Sequence, residues 1–275
     1  MPHPLVRVGG VEVVPLCDGW APLPLASELP GHRVDWLAER AAHPWAFADE
    51  GAWAWHVHAF LLRTVAGLVL VDAGIGHRGR PPYAVVGNVE RELAAVGADP
   101  EDVLHVICTH LHADHAGGTT RPDGEARFPN AVHHVHPADW SFFALVDDPE
   151  DFNARQDMAI LEEAGMLDLS PEEREIVPGV RTVNAPGHTP GHRCVLVEDG
   201  PFRMLLAGDL LHLPVQVAYP TWESNHDEDP ERGVASRVAL LERARAERWG
   251  LAVSHFGKPF GGVAEGPEGP RWLSA

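Results

Sequence analysis

Three histidines and an aspartate stand within six residues, at His110, His112, Asp114 and His115. In extended backbone, residues i and i+2 point the same way, so His110 and His112 can share one ion. Asp114 and His115 follow on a turn and can face a neighbouring position. Clustered imidazoles need partners for both ring nitrogens, which a turn this short cannot easily supply without a metal. Imidazole and carboxylate donors without thiolate suit zinc, with iron, cobalt or manganese as alternatives. His188 is the best third ligand for the first ion. Asp114, His115 and His255 serve the second, and Asp209 can bridge the two. This ligand set predicts two zinc ions per chain with a shared position for a hydroxide. Two divalent charges bring the pKa of such a water close to neutrality and hold it as a nucleophile.

The elements that must position these groups are legible in part. Strand-like runs cover 11–16, 57–64 and 68–71, the last ending in the turn Asp72-Ala73-Gly74. Further strands are expected over 103–108, 131–136, 180–185, 194–197, 204–207 and 251–254. Val86, Val89, Leu93 and Val96 recur at helical spacing, which predicts a helix over 86–96 stopped by Gly97. Asp99-Pro100 reads as an N-cap followed by Pro at the first position of a short turn. Another helix opens at Pro137, and one near 153–164 carries Met158 and Leu161 on one face. Ser170-Pro171-Glu172-Glu173 has the form of a capping box. Asp229-Pro230 starts a helix expected to turn Val234, Val238 and Leu241 inward. Four times a short apolar strand leads to a metal-ligand type: His110, His188, Asp209 and His255. Ligands on several strand ends, gathered at one edge of a sheet, make a rigid site.

Two segments interrupt this rhythm. Residues 29–56 carry Trp36, Trp45, Trp53 and Trp55 among Pro, Ala and charges. They read as a long surface excursion, which either packs a local subcore or serves as an apolar lid or homodimer contact. Residues 257–270 are rich in Gly and Pro and are expected to form a loosely held tail.

Composition narrows the classes. The chain has 275 residues, 45% hydrophobic and 22% charged, which is ordinary globular make-up and is read as a single domain over 1–275. Asp and Glu number 40 against 21 Lys and Arg, a net charge of −19. So acidic a chain repels phosphate backbones, so no nucleic-acid partner is expected. No apolar run approaches the roughly 20 residues of a membrane span, so no membrane partner is expected either. Met1-Pro2-His3-Pro4 lacks the layout of a signal peptide. Cys17, Cys108 and Cys194 are scattered, with no C-x-x-C pair, which suits a reducing cytoplasm.

The run Thr109 to His115, an H-x-H-x-D-H motif, resembles the signature of the metallo-β-lactamase superfamily. So do Pro186-Gly187-His188-Thr189-Pro190-Gly191-His192, Gly208-Asp209, His255 after the last strand and Asp72 in its turn. The matching pieces run in order from about 57 to 260. The resemblance implies an α/β chain folded as a four-layer αβ/βα sandwich, with two sheets back to back, helices outside and a two-metal site at one edge. The family's ligand set falls on the same seven residues. Within the family, Gly208-Asp209-Leu210-Leu211-His212 with Gln216 is most similar to the lactonases and methyl parathion hydrolase-like enzymes. Acyl-homoserine lactonases typically carry Tyr where this chain has His212.

The resulting expectation is a cytoplasmic zinc hydrolase of small molecules, whose metal-bridging hydroxide attacks a lactone or ester carbonyl or a phosphotriester. Asp114 orients the hydroxide, and His212 hydrogen-bonds substrate or leaving group. The alternatives are a thioester hydrolase, an iron-dependent persulfide dioxygenase and a metal-binding protein without turnover. Asp72 is expected to hydrogen-bond a ligand imidazole and fix its tautomer. His192 is read as structural or supporting. His56 and His58 share a strand face but have no local third ligand, so they are read as structural, as are His133, His134 and His136. Lys258, the only lysine, and the acidic run Asp227-Glu228-Asp229 are read as solvated.

Overall fold

The computed structural model describes residues 4–77, 87–145, 154–267 and 269–275. Among these, fourteen strands form two seven-stranded sheets. The first sheet takes β1 (Val6–Val8), β2 (Val11–Pro24), β3 (Ala52–Thr64), β4 (Gly67–Val71), β5 (Val103–Ile107), β6 (Val132–Val135) and β7 (Leu167–Leu169), side by side in chain order. The second takes β8 (Glu175–Val177), β9 (Val180–Asn184), β10 (Arg193–Asp199), β11 (Phe202–Leu206), β12 (Gly250–Ala252), β13 (Phe260–Gly266) and β14 (Gly269–Ser274). Strands β4 to β7 run parallel, as do β11 and β12, and the other neighbours are antiparallel. Helices α1 (Trp36–Ala42), α2 (Val89–Ala95), α3 (Ala113–Ala116), α4 (Pro137–Phe143), α5 (Ala154–Glu163), α6 (Val215–Ala218) and α7 (Pro230–Glu247) fill the connections.

The period of two along each strand sorts the side chains into layers. Phe60, Leu62, Val69 and Val71 of the first sheet meet Val195, Val197, Met204 and Leu206 of the second, forming the interior between the sheets. Ala59, Leu61 and Leu70 point the other way, onto Leu93 of α2, Phe143 of α4 and Met158 and Leu161 of α5. Leu196 and Leu205 likewise face Leu240, Leu241 and Ala244 of α7. The order is helix, sheet, sheet, helix, the αβ/βα sandwich that the family resemblance implies.

Several expectations are corrected. The tail after 257 is not loose: β13 and β14 pair over their whole length, and Trp272 is buried against Phe256, ring centroids 5.0 Å apart. Gly261, one of the glycines that read as loop, serves close approach instead. A Cβ on Gly261 would stand 2.4 Å from the Trp272 ring. Strand β2 runs eight residues past Leu16, because Asp18 is absorbed as a bulge between Cys17 and Gly19. Helix α2 starts at Val89; Val86, where the periodicity began, lies outside the described residues. Ser170 opens no helix. Its Oγ accepts the Glu172 N–H at 3.4 Å in a local turn, and the Arg174 N–H bonds Thr182 Oγ1 of β9 at 3.1 Å. The inward face of α7 is Gly233, Arg237, Leu240, Leu241 and Ala244 rather than Val234 and Val238. An arginine holds the centre of that face because it has buried partners, described below.

The Trp-rich excursion ends earlier than expected. Trp53 and Trp55 belong to β3 and are buried with Leu23, Leu25, Leu29, Leu213 and Val215 in a subcore of their own. Trp45 packs on Phe256, with centroids 5.5 Å apart. The segment forms a packed wall beside the ligand cluster. None of the described helices is long and apolar enough to cross a membrane.

Candidate metal centre

The centre sits where β4, β5, β11 and β12 end. Asp72 follows β4 with a left-handed backbone, φ 61°, which Asp tolerates better than most side chains. Its Oδ1 accepts from the Thr109 N–H at 2.7 Å. Its Oδ2 accepts from Thr109 Oγ1 at 2.9 Å and lies 2.7 Å from His115 Nδ1. One carboxylate thus fixes the chain leaving β5 and holds the His115 Nδ1–H, so that Nε2 is the nitrogen facing the centre. His112 precedes α3, so Asp114 and His115 project from its first turn. Gly187 brings the His188 loop against the start of α7, where a Cβ would stand 2.1 Å from Gly233 N.

All seven residues proposed as ligands lie together. His112 Nδ1 is 2.9 Å from both His110 Nε2 and His188 Nε2, which are 3.2 Å from each other. Three imidazole nitrogens in so tight a triangle cannot all be satisfied by one another's protons. A cation at its centre satisfies all three. Beside it, His115 Nε2 is 3.1 Å from Asp114 Oδ2, and His255 Nε2 is 3.6 Å from the same oxygen. Asp209 stands between the groups. Its Oδ1 is 3.0 Å from His115 Nε2, and its Oδ2 is 3.0 Å from His255 Nε2 and 3.3 Å from His188 Nε2. Asp209 Oδ1 is buried with no hydrogen bond, and His115 Nε2 is buried among carboxylate oxygens without a well-aligned one. Orphaned polar atoms of this kind fit divalent cations: His110, His112 and His188 would hold one, and Asp114, His115 and His255 could hold another, with Asp209 placed between them.

The electrostatics divide the two groups. Burial, and then the crowd of neighbouring imidazoles, holds His110 and His188 well below the ordinary imidazole pKa, although Asp209 opposes this. They stand neutral, with lone pairs ready for an ion. At His115 burial acts in the same direction but is outweighed by Asp209, Asp114 and Asp72, which raise its pKa. His255 is likewise raised, with Asp209 overcoming burial. Its Nδ1 donates to the His56 carbonyl at 2.7 Å, and Trp55 stacks on its ring with centroids 5.2 Å apart.

His212 lies beside the shared carboxylate. Its Nε2 is 3.2 Å from Asp209 Oδ2, its backbone N–H is held by Gln216 Oε1 at 2.8 Å, and its Nδ1 is buried without a partner. His192 sits behind the centre. Its Nδ1 donates to Ala185 O at 3.0 Å, and its Nε2 accepts from the Asp209 N–H at 3.0 Å. His133, His134 and His136 are elsewhere: His134 bonds His105 and Asp168, and His136 caps α4. Lys258 is exposed.

Three supporting residues escaped the sequence reading. Asp227, expected to be solvated, is buried, with Oδ1 3.5 Å from His188 Nδ1. Arg237 of α7 holds Asp227 Oδ2 at 2.9 Å, Leu210 O at 2.8 Å and Trp222 O at 2.7 Å. One guanidinium therefore ties the chain beside Asp209 to the carboxylate behind His188. Its position four residues before Leu241, on the inward stripe of α7, was the only signal in the sequence. Glu28 pairs with His226 Nε2 at 2.8 Å. Burial alone would lower the His226 pKa, but the Glu28 bond and charge raise it.

A cavity of about 260 Å³ opens over the centre. Asp114, His188, Asp209, His212 and His255 form one side, and Leu23 and Trp55 an apolar wall. Convergent donors beside an apolar wall suit a small molecule with a polar, electrophilic end.

An imidazole and carboxylate centre at one edge of a double-sheet sandwich defines a metal-dependent hydrolase scaffold. The Metallo-beta-lactamase superfamily model matches residues 52–253, and the chain belongs to that superfamily. It is 30% identical over 204 residues to an N-acyl homoserine lactonase of a Bacillus species, covering 67% of this chain and 72% of the relative. A probable metallo-hydrolase of Mycobacterium tuberculosis is 30% identical over 190 residues, 56% of each chain. Among solved structures, the hydrolase AbOPH superposes with a TM-score of 0.85 at 23% identity, covering 99% of this chain and 97% of that one. The dizinc quorum-quenching lactonase AidC gives 0.85 at 20%, with the same coverage.

Proposed function

We propose that this protein is a two-metal hydrolase of lactones or related carboxylic esters. The observation that carries the reading is Asp209, one carboxylate within 3.3 Å of imidazoles from both ligand groups. The lactonase relatives support the substrate class. Zinc is the ion that the donor set favours. When bound, the two ions would supply an ionised water and positive charge facing the acyl oxygen.

The chain's own residues do the rest. Leu23 and Trp55 take the apolar part of the substrate and turn its carbonyl towards Asp209. Asp114, at the cavity wall, accepts a hydrogen bond from the attacking water and orients it. His212, held neutral by burial, offers one N–H to the oxygen that gains charge. What supports that role is the position of His212 in the cavity lining, with Nε2 3.2 Å from Asp209 Oδ2.

A panel of lactones, aryl esters, phosphotriesters, thioesters and β-lactams, assayed with zinc, cobalt, manganese and iron, tests the proposal. Lactones or esters should turn over fastest, with about two ions per chain. One iron per chain with oxygen consumption would overturn the reading in favour of a dioxygenase, and faster phosphotriester or thioester cleavage would reassign the substrate. On the best substrate, His212→Ala should lower kcat by about 10²–10³ at unchanged metal content. A loss of melting temperature with kcat intact would make His212 a packing residue.

A further inference from the structure

A second cluster of ligand types lies outside the centre just described. Cys17 of β2 pairs directly across from His58 of β3. Residues opposite each other in an antiparallel pair share a face, as do residues two apart on one strand. His56 therefore joins Cys17 and His58 on the face that continues the interior between the sheets, next to Phe60. The third ligand that His56 and His58 lack locally comes from the neighbouring strand, about 40 positions away in the sequence. The bulge at Asp18 sends that carboxylate elsewhere, to the Ile75 N–H at 2.7 Å, and leaves Cys17 facing the imidazoles.

We propose that Cys17, His56 and His58 form a third metal site, for a thiophilic divalent ion such as Zn²⁺, separate from the hydrolytic centre. The three ligand atoms lie within 4.8 Å of one another, and Cys17 Sγ is 3.9 Å from His56 Nδ1. Tetrahedral zinc, with bonds of about 2.3 Å to sulfur and about 2.0 Å to nitrogen, needs an S···N separation of about 3.5 Å, a small rotamer adjustment away. His58 is already oriented as a ligand, because its Nδ1 donates to Ser254 O at 2.9 Å and leaves Nε2 with the lone pair. Cys17 and His56 are only partly buried, unlike His58. A thiolate with two imidazoles selects zinc over magnesium, calcium or manganese. Binding replaces the thiol proton, released to solvent, with a sulfur–metal bond, and no electrons are transferred.

The site would brace the neighbouring centre. His56 presents its carbonyl to His255 Nδ1, so an ion on the His56 ring also restrains the backbone that orients a ligand of the hydrolytic pair.

Cobalt separates the two kinds of site by their chemistry. The hydrolytic centre contains no sulfur, so a thiolate-to-cobalt charge-transfer band in the near ultraviolet can arise only from a cysteine site. Titrating the metal-free protein with Co²⁺ should produce that band, and wild type should bind about one ion more than Cys17→Ala. Cys17→Ala and His56→Ala should lose the band, whereas His188→Ala should keep it. The proposal is overturned if wild type shows no band at saturation, or if the band survives Cys17→Ala. Alkylation covers the case of a variant that fails to fold. Cys108 and Cys194 are buried, so Cys17 in wild type should react first, and Zn²⁺ should protect it. Alkylation of Cys17 at the same rate with and without Zn²⁺ would equally overturn the site. None of these readouts depends on turnover, so the third site and the hydrolase reading can fail separately.

Discussion

Asp209→Asn is expected to release the second ion and to remove most of the activity while leaving the fold intact. The carboxylate touches both ligand groups, with Oδ1 at 3.0 Å from His115 and Oδ2 at 3.0 Å from His255 and 3.3 Å from His188. Asn keeps the shape but removes the charge, and its NH₂ presents protons where a lone pair is required. Four-ligand zinc sites bind with about 10–16 kcal/mol, so one ligand contributes roughly 3 kcal/mol, or about 10² in affinity. The loss should fall harder on the group of Asp114, His115 and His255. There Asp209 is one of two carboxylates beside the ion, and Asn leaves Asp114 as the single negative charge among the donors. The first ion retains His110, His112 and His188. Metal analysis after dialysis, with kcat on the same sample, checks the outcome. Two ions retained with full activity would show that Asp209 does not bridge.

The second large effect distinguishes two histidines of one loop. His188→Ala should reduce activity by at least about 10³, because it removes one corner of the nitrogen triangle on which the first ion depends. His192→Ala should keep both ions and lose about 10- to 100-fold, the usual cost of removing a group that orients a ligand. His192 accepts from the Asp209 N–H and donates to Ala185 O, so its deletion frees the Asp209 backbone without opening a ligand position. Metal content and kcat, measured side by side, decide the matter. If His192→Ala strips metal and His188→Ala does not, the ligand assignment of this loop is reversed.

The seven residues proposed as ligands could be picked out in the sequence because the signal is local. His110, His112, Asp114 and His115 are close neighbours in the chain, and His188, Asp209 and His255 each follow a short apolar strand. The apolar runs over 57–64 and 194–197 likewise announced strands, whereas the layered sandwich was implied by the resemblance of the motifs to a known family. What the sequence could not decide depends on contacts between distant segments. Asp227 looked like a solvated helix start until Arg237 and His188 were seen to enclose it. Arg237 looked like one more charged residue on α7 until Leu210 O and Trp222 O were found to absorb its protons. The glycines after 257 read as slack, although Gly261 exists to let the Trp272 ring lie against its strand. Cys17 reached His56 and His58 only through the register of β2 on β3 and the bulge at Asp18. Periodicity and spacing record which face of an element is wet and which residue types stand near one another in the chain. Whether a polar group is satisfied depends on which other element arrives beside it, and that is a property of the tertiary fold.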